Sequence, residues 1–168
     1  MAARLNVQDL FALLEKSVEA ARRALGAAFV LVPLEPWVSG EITANTGVLT
    51  LTGRAQMVQT RAGRQVPVLT AACFPLAGEG PLLAGRTGRT HLLVDQPTVS
   101  RLHAELRGCE GGYSVADRGS YNGTMVNNRV LEQGEVVKLA DGDVVVFGEA
   151  QLLFASLDQL SELIKRPR

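Results

Sequence analysis

The placement of glycine constrains the fold of this chain more than any other feature of the sequence. The chain has 168 residues, of which 17 are glycine and 7 are proline. Most of the glycines follow residue 40 and lie between short apolar runs. Such spacing is typical of a fold in which short strands are joined by many turns. The length suits one compact domain with a small extension.

Short apolar runs at near-regular spacing predict the strands of this fold. An antiparallel β-sandwich is the architecture that this spacing favours. The pair Asp141-Gly142 predicts a hairpin between two of the later runs. The predicted strands lie at 27–33, 48–52, within 65–74, and at 81–84, 91–94, 102–107, 113–116, 136–139, 144–147 and 151–155.

An apolar stripe at steps of three and four residues predicts a helix at the start of the chain. Asn6 is placed to cap it, and Gly26 is a plausible end. Two interpretations stay open: the stripe packs on the rest of the chain, or it binds a partner or a second copy. The stripe consists of Val7, Leu10, Phe11, Leu14, Val18, Ala21 and Leu25.

The last residues predict a second, shorter helix. Ser156 and Gln159 form a capping-box pattern in front of an apolar series. The predicted organisation is therefore an N-terminal helix with strands at 1–65, a β-domain at 66–156 and a C-terminal helix at 157–168. Residues 1–65 form either a small α+β unit or a packed extension of the sandwich.

Composition excludes several classes of protein. The 17 basic and 17 acidic residues cancel, so no strong basic field attracts nucleic acid or an anionic membrane. Cys73 and Cys109 are too few for a disulfide framework, although one bridge between them stays possible. The longest apolar stretch is far shorter than the roughly 20 residues of a spanning helix, and no signal peptide is recognisable. We expect a cytoplasmic protein, and the excess of arginine over lysine indicates a bacterial source.

Cofactor and metal sites are not predicted either. Two cysteines and two histidines without a Cys-x-x-Cys pair are a weak basis for a metal site. Neither the phosphate-binding loop of NTPases nor a Gly-x-Gly-x-x-Gly turn is present. We therefore expect no cofactor and no catalytic metal.

Three polar segments lie at predicted strand ends: 85–86, 100–103 and 120–124. In a sandwich, strand ends gather at two rims, so loops distant in sequence can converge. Together these segments supply a guanidinium, hydroxyls and a side-chain amide. Such donors suit a phosphate group.

The order and spacing of these segments resemble the forkhead-associated (FHA) domain family. The matching motifs are Gly85-Arg86, Ser100-Arg101-Leu102-His103 fourteen residues after the arginine, Asn122-Gly123-Thr124, and Asn127. The residues at positions 95–97 and 139–143 are also similar to the family pattern. The resemblance covers about residues 66–155 and implies a twisted, mostly β antiparallel sandwich whose loops bind phosphothreonine peptides.

The resemblance also implies a role for each matching residue. Arg86 and Ser100 would hold the phosphate, Arg101 would add a second contact, and Asn122 would bind the peptide backbone. The supporting residues would be Gly85, which permits the turn, His103, Gly123, Thr124 and Asn127. The implied partner is a threonine-phosphorylated protein, either a kinase or its substrate.

The sequence departs from the family pattern in two places. Tyr121 precedes Asn-Gly-Thr where the family often has Ser or Thr, so its phenol would reach the phosphate or its ring would contact the peptide. Asn128 stands where Gly is frequent, but Asn tolerates the left-handed backbone. Arg89, Arg118 and Arg129 are further candidates for positive charge near the rim.

Two other functions compete with phosphopeptide binding. A hydrolase would need Ser100, His103 and an acid such as Asp95 or Asp117 in mutual reach, and Gly-x-Ser-x-Gly is absent. A phospho-independent scaffold, with the N-terminal segment making the contact, is motivated by Tyr121 and by the apolar stripe. The sequence favours a non-enzymatic, phosphothreonine-dependent adaptor in kinase signalling.

Overall fold

The computed structural model describes residues 7–33, 56–59, 65–68, 74–77 and 80–165. The predicted strand at 48–52 lies outside these ranges. Within them the helices are α1 Val7–Lys16, α2 Val18–Leu25 and α3 Leu157–Lys165. The strands are β1 Phe29–Pro33, β2 Gln56–Gln59, β3 Gln65–Val68, β4 Phe74–Leu76, β5 Pro81–Gly85, β6 Leu92–Leu93, β7 Ala104–Cys109, β8 Gly112–Asp117, β9 Thr124–Val126, β10 Arg129–Val130, β11 Val136–Lys138, β12 Val144–Phe147 and β13 Ala150–Ser156.

Two sheets form the predicted sandwich. One sheet has the strand order β10-β9-β12-β13-β1-β4, and the other has the order β11-β8-β7-β5-β6. All pairs in them are antiparallel except β5 with β6, which is parallel. β2 and β3 form a separate hairpin. The mostly β sandwich is confirmed, and it contains one parallel pair.

Large apolar side chains fill the space between the two sheets. Leu31, Phe147 and Phe154 of one sheet and Leu106 and Val115 of the other are buried there. Side chains alternate along a strand, so every second residue of each strand enters this layer. Each such side chain contributes on the order of 1.5–3 kcal/mol when buried, which makes this layer the main support of the loops at its ends.

A second apolar core covers the outer face of the six-stranded sheet. Val30 and Val32 point away from the first core and pack against the helices, as does Leu153 of β13. β1 is apolar on both faces for this reason. The described part of the N-terminal stripe is buried in this core, at Leu10, Phe11, Leu14, Ala21 and Leu25, with Val18 packed at its border. The stripe therefore packs on the chain itself.

The N-terminal stripe lies on two helices, where one was predicted. Ser17 has extended backbone angles, φ −167° and ψ 128°, and its Oγ accepts a hydrogen bond from the Ala20 amide at 3.4 Å. A serine that caps a new helix competes with continuation of the old one. Gly26 ends α2 in the left-handed conformation at φ 64°. The proposed cap Asn6 lies outside the described residues.

The extension is continuous with the sandwich. β1 lies between β13 and β4 in the six-stranded sheet. α3 follows β13 directly, and the Gln159 amide donates to Ser156 Oγ at 3.2 Å, as the capping pattern predicts. The described part of 1–65 thus includes an interior strand, while a domain boundary near residue 65 stays a prediction. None of the described helices is long and apolar enough to span a membrane.

The hairpin predicted at Asp141-Gly142 is wrong. The two residues do form a turn, with Gly142 at φ 85°. However, β11 before it pairs with β8, and β12 after it pairs with β13 and β9. The turn carries the chain from one sheet to the other, because local turn chemistry does not decide which sheet the next strand joins.

Candidate functional site

The predicted polar segments meet at one end of the sandwich. Loops 86–91, 94–103 and 118–123 and the turn at 148–149 form this surface, which we call the rim. The Arg86 amide donates to the Ser100 carbonyl at 3.0 Å, and the Tyr121 amide donates to Ser100 Oγ at 2.9 Å. Gly148 N–H donates to the Gly123 carbonyl at 3.1 Å. Backbone contacts between loops therefore define the rim.

Arg86 is exposed at the end of β5 and is fixed by one of its own nitrogens. Its Nε donates to the Val99 carbonyl at 3.0 Å. No carboxylate among the described residues forms an ion pair with it. The guanidinium is held in place while its two Nη groups keep their donors for a ligand.

Ser100 and Tyr121 are joined through the backbone. The Ser100 hydroxyl accepts from the Tyr121 amide, so its own proton stays available for donation. The Tyr121 side chain is 93 % exposed. Tyr121 thus contributes its amide to the rim, while its ring points into solvent.

The Asn122 side chain bonds across the rim. Its Nδ2 donates to the Thr98 carbonyl at 2.8 Å. Neither its Oδ1 nor the second N–H has a partner among the described groups, so both are open to a peptide backbone. Thr98 was not singled out from the sequence, because a threonine between two loops carries no local signature.

The buried His103 side chain joins two loops of the rim through its ring nitrogens. Its Nδ1 accepts from the Ser100 amide at 3.0 Å, so Nε2 carries the proton and donates to the Gly123 carbonyl at 2.9 Å. Burial lowers the pKa of His103, against weaker opposing effects of Gly123 and Asp117. Both ring nitrogens are bonded to backbone atoms. The arrangement is therefore not that of a base that activates Ser100.

Asp117 organises the loop that carries Tyr121 and Asn122. Its carboxylate accepts from the Ser120 hydroxyl at 2.5 Å, the Thr124 hydroxyl at 2.7 Å, and the amides of Gly119 and Ser120. Burial alone raises the pKa of Asp117, but these hydrogen bonds outweigh it and hold the pKa below its usual value. The Gly123 amide donates to Ser120 Oγ at 3.0 Å. From the sequence, Asp117 was a candidate only as a catalytic acid and Ser120 only as part of the polar segment 120–124, although an Asp-x-x-Ser turn is a recognisable signal.

Gly85 is required by a close approach between loops. A Cβ at this position would lie 2.2 Å from the Arg101 carbonyl oxygen and 3.0 Å from Thr90 Cγ2. Its φ lies outside the left-handed region, so the reason differs from the turn suggested by the sequence. Glycine here allows the 100–103 segment to lie directly against the end of β5.

The rim and the strand ends next to it bring together nine of the ten predicted site residues. These are Gly85, Arg86, Ser100, Arg101, His103, Tyr121, Asn122, Gly123 and Thr124. Asn127 lies at the opposite end of β9, where its Nδ2 donates to Asp143 at 2.8 Å and its Oδ1 accepts from the Val144 amide at 3.0 Å. Asn127 and Asn128 have φ 49° and 67°, which suits the two-residue hairpin turn between β9 and β10. Asn127 therefore supports this turn and not the rim loops.

The other arginines predicted near the rim divide into two groups. Arg89 and Arg101 are exposed and have no ion pair with a described carboxylate. Arg118 pairs with Glu105 at 3.3 Å. The placement of Arg129 near the rim is wrong, because Arg129 follows the turn at the opposite end of β9, where it pairs with Glu135 at 2.8 Å. Positive charge free for an anion is thus concentrated at Arg86, Arg89 and Arg101. In the described part of the chain no cluster of His, Cys, Asp or Glu could hold a metal ion.

Comparison with known proteins identifies the family. The FHA domain model matches residues 82–148. The oxoglutarate dehydrogenase inhibitor of Corynebacterium diphtheriae is 37% identical over 120 residues, which cover 68% of this chain and 79% of that protein. The chain belongs to the FHA domain family. FHA domains bind proteins in a phosphothreonine-dependent manner without catalysis, so the chain is a non-enzymatic binding protein.

Two other matches are shorter or more distant. The glycogen accumulation regulator GarA of Mycolicibacterium smegmatis is 42% identical over 71 residues, covering 42% of this chain and 43% of that protein. The structure of Mycobacterium tuberculosis EmbR with a low-affinity phosphopeptide has a TM-score of 0.50 at 19% identity. It covers 82% of this chain and 31% of that one, and it supports the fold alone.

Proposed function

We propose that the rim binds a phosphothreonine segment of a partner protein. Arg86 and the Ser100 hydroxyl bind the phosphate, and Asn122 binds the peptide backbone beside it. The observation that carries this proposal is the Arg86 guanidinium, which is fixed through Nε on Val99 while both Nη groups stay free. A fixed guanidinium loses little conformational freedom when it binds an oxyanion.

Charge supports the same assignment. A phosphothreonine carries about −1.5 to −2 charges near neutral pH. The nearest free cations are Arg86, Arg89 and Arg101, while the Arg118 and Arg129 charges are compensated. We assign Arg101 an additional contact with the phosphate or with an acidic flank of the peptide. The exposed Tyr121 ring contacts a peptide residue beside the phosphothreonine.

The proposed partner is a threonine-phosphorylated protein, either a Ser/Thr kinase or one of its substrates. The name of the Corynebacterium relative points to one candidate effect, inhibition of a bacterial 2-oxoglutarate dehydrogenase. That relative is covered over most of its length, which makes the enzyme a reasonable second ligand to test. Both kinds of partner imply a cytoplasmic location.

The first experiment is fluorescence anisotropy with a degenerate phosphothreonine peptide library. The full chain, Arg86→Ala and Arg89→Ala are compared, with the unphosphorylated library as a control. Loss of a hydrogen bond to a charged group costs roughly 1.5–3 kcal/mol, or about 10- to 100-fold in affinity. We expect that loss in Arg86→Ala, with Arg89→Ala much less affected. No binding by the full chain, or equal binding by Arg86→Ala, would contradict the proposal.

The phospho-independent alternative loses part of its basis. The described part of the apolar stripe is buried, and the exposed side of α1 and α2 carries polar residues such as Glu15, Glu19 and Arg23. A deletion of the N-terminal segment would be a poor test of this alternative, because it would also remove β1, an interior strand. The alternative is better tested by charge reversal at Glu15 and Arg23. It predicts that the charge-reversed variant loses partner binding and that Arg86→Ala keeps it.

A further inference from the structure

Thr98 connects three segments of the rim. Its hydroxyl donates to Gln96 Oε1 at 2.7 Å and accepts from the Glu149 amide at 2.9 Å. Its carbonyl accepts from Asn122 Nδ2 at 2.8 Å. One residue therefore joins its own loop, the turn between β12 and β13, and the loop that carries Asn122.

The turn at Gly148 lies directly against Thr98. A Cβ on Gly148 would lie 2.4 Å from the Thr98 carbonyl oxygen and 2.8 Å from its Oγ1. Gly148 also has φ 61°, and its amide donates to the Gly123 carbonyl at 3.1 Å. Thr98 is thus enclosed between the turn and the 118–123 loop, and its carbonyl has little freedom to move.

The fixed carbonyl determines how Asn122 is presented. An asparagine side chain has two N–H donors and one oxygen acceptor. When one N–H is bound to Thr98, the plane of the amide is set. The orientation of Oδ1 and of the second N–H is then restricted before any ligand arrives. Such preorganisation lowers the entropic cost of binding.

We propose that Thr98 is a positioning residue that orients Asn122 toward the bound peptide. This inference rests on the proposed phosphothreonine binding. Thr98 acts through its hydroxyl, which ties the loop to Gln96 and Glu149, and through its carbonyl, which holds Asn122. It makes no contact with the ligand itself.

The test compares Thr98→Val, Thr98→Ser and Asn122→Ala, singly and in combination. Thr98→Val keeps the size of the side chain and the carbonyl but removes the hydroxyl. We expect it to weaken phosphopeptide binding by about 3- to 10-fold, the effect of a neutral hydrogen bond, and Thr98→Ser to restore it. In the Asn122→Ala background, Thr98→Val should weaken binding by less than about 2-fold, because the two residues act as one unit.

Ser114→Ala serves as the matched control. The Ser114 hydroxyl bonds to the Arg107 carbonyl on the strands, away from the rim. Its loss should leave binding unchanged. Equal weakening by Thr98→Val with and without Asn122 would reveal a general structural role and overturn the inference, even where Arg86→Ala abolishes binding as proposed.

A second measurement needs no ligand. The Asn122 side-chain amide resonances are followed by ¹⁵N NMR in the full chain and in Thr98→Val. We expect the variant to shift these resonances and increase the motion of this amide, while Ser114→Ala leaves both unchanged. If the resonances and the motion of the Asn122 side-chain amide were unchanged in Thr98→Val, the inference would be overturned whether or not peptides bind. If Arg86→Ala bound phosphopeptide as well as the unchanged chain does, the proposed function would be overturned instead.

Discussion

The Nε atom of Arg86 donates a hydrogen bond to the carbonyl oxygen of Val99 at 3.0 Å. This bond ties the end of β5 to the loop that carries Ser100, and the Arg86 amide donates to the Ser100 carbonyl beside it. The guanidinium is therefore used in two ways in the proposed function. Its Nε supports the rim, while its two Nη groups stay available for the proposed phosphate.

Arg86→Lys should be a severe change for this reason. A lysine ammonium is a single point of charge and cannot keep the Val99 bond while presenting two parallel donors to a phosphate. We expect phosphopeptide affinity to fall about 10-fold or more, measured by fluorescence anisotropy. The matched control is Arg101→Lys, whose side chain makes no hydrogen bond to a described group and should lose less than about 3-fold. Equal effects of the two changes would contradict the proposed division of roles.

Tyr121 should affect binding but not folding. Since its side chain is 93 % exposed, Tyr121→Ala should change the free energy of unfolding by no more than about 0.5 kcal/mol. Affinity should fall several-fold in Tyr121→Ala and stay near that of the full chain in Tyr121→Phe, because the ring makes the contact. A Phe variant as weak as the Ala variant would show that the phenol reaches the phosphate.

Protonation of His103 should lower the free energy of unfolding as the pH falls below about 6.5. Its pKa is lowered in the folded chain, so the unfolded chain binds the proton first as the pH falls. The contribution is fully present above the unfolded pKa and is lost as the pH falls toward the folded pKa. The slope is at most about 1.4 kcal/mol per pH unit.

Urea unfolding between pH 5.5 and 7.5 measures this effect. His103→Gln is the control, because it cannot be protonated, and it should lack this part of the pH dependence. The same slope in both proteins would assign the effect to other groups.

Gly85→Ala should destabilise the fold, while Gly88→Ala should not. The added methyl at Gly85 meets the Arg101 carbonyl, a backbone atom that cannot move cheaply, whereas Gly88 has nothing within 4 Å. We expect a loss of about 2–4 kcal/mol in Gly85→Ala. The effect of Gly88→Ala should stay within about 1 kcal/mol. Thermal unfolding of the two variants provides the comparison, and similar melting temperatures would contradict the close approach.

Leu14→Ala should lower the stability of the entire protein. Leu14 is fully buried in the core between the helices and β1 and β13. Creation of a cavity there should cost about 2–5 kcal/mol. The neighbouring exposed Glu15→Ala should stay within about 0.5 kcal/mol. Denaturation followed through circular dichroism at 222 nm and through the near-ultraviolet signal of the aromatic side chains should give one coincident transition, and separate transitions would indicate independently folding helices.

Much of the fold could be predicted because it depends on local patterns. The alternation of β7 and the continuous apolar run of β1 are set by which faces are buried. Gly26 ended the helix as expected, because its left-handed conformation suits glycine. The break at Ser17 was missed because the apolar stripe continues across it. The crossing at Asp141-Gly142 was missed because the same turn suits a hairpin or a change of sheet.

At the site, the residue types and their order could be predicted without the structure. Arg86, Ser100 and Asn122 could be selected because their motifs have a recognisable spacing. The folded structure was needed to show that Asn127 lies away from the rim, that Gly85 is needed for the approach of Arg101, and that Thr98 holds the loops. These arrangements depend on contacts between residues about 15 to 50 positions apart. Spacing along the chain does not encode such contacts, because the packing of the two sheets brings the segments together.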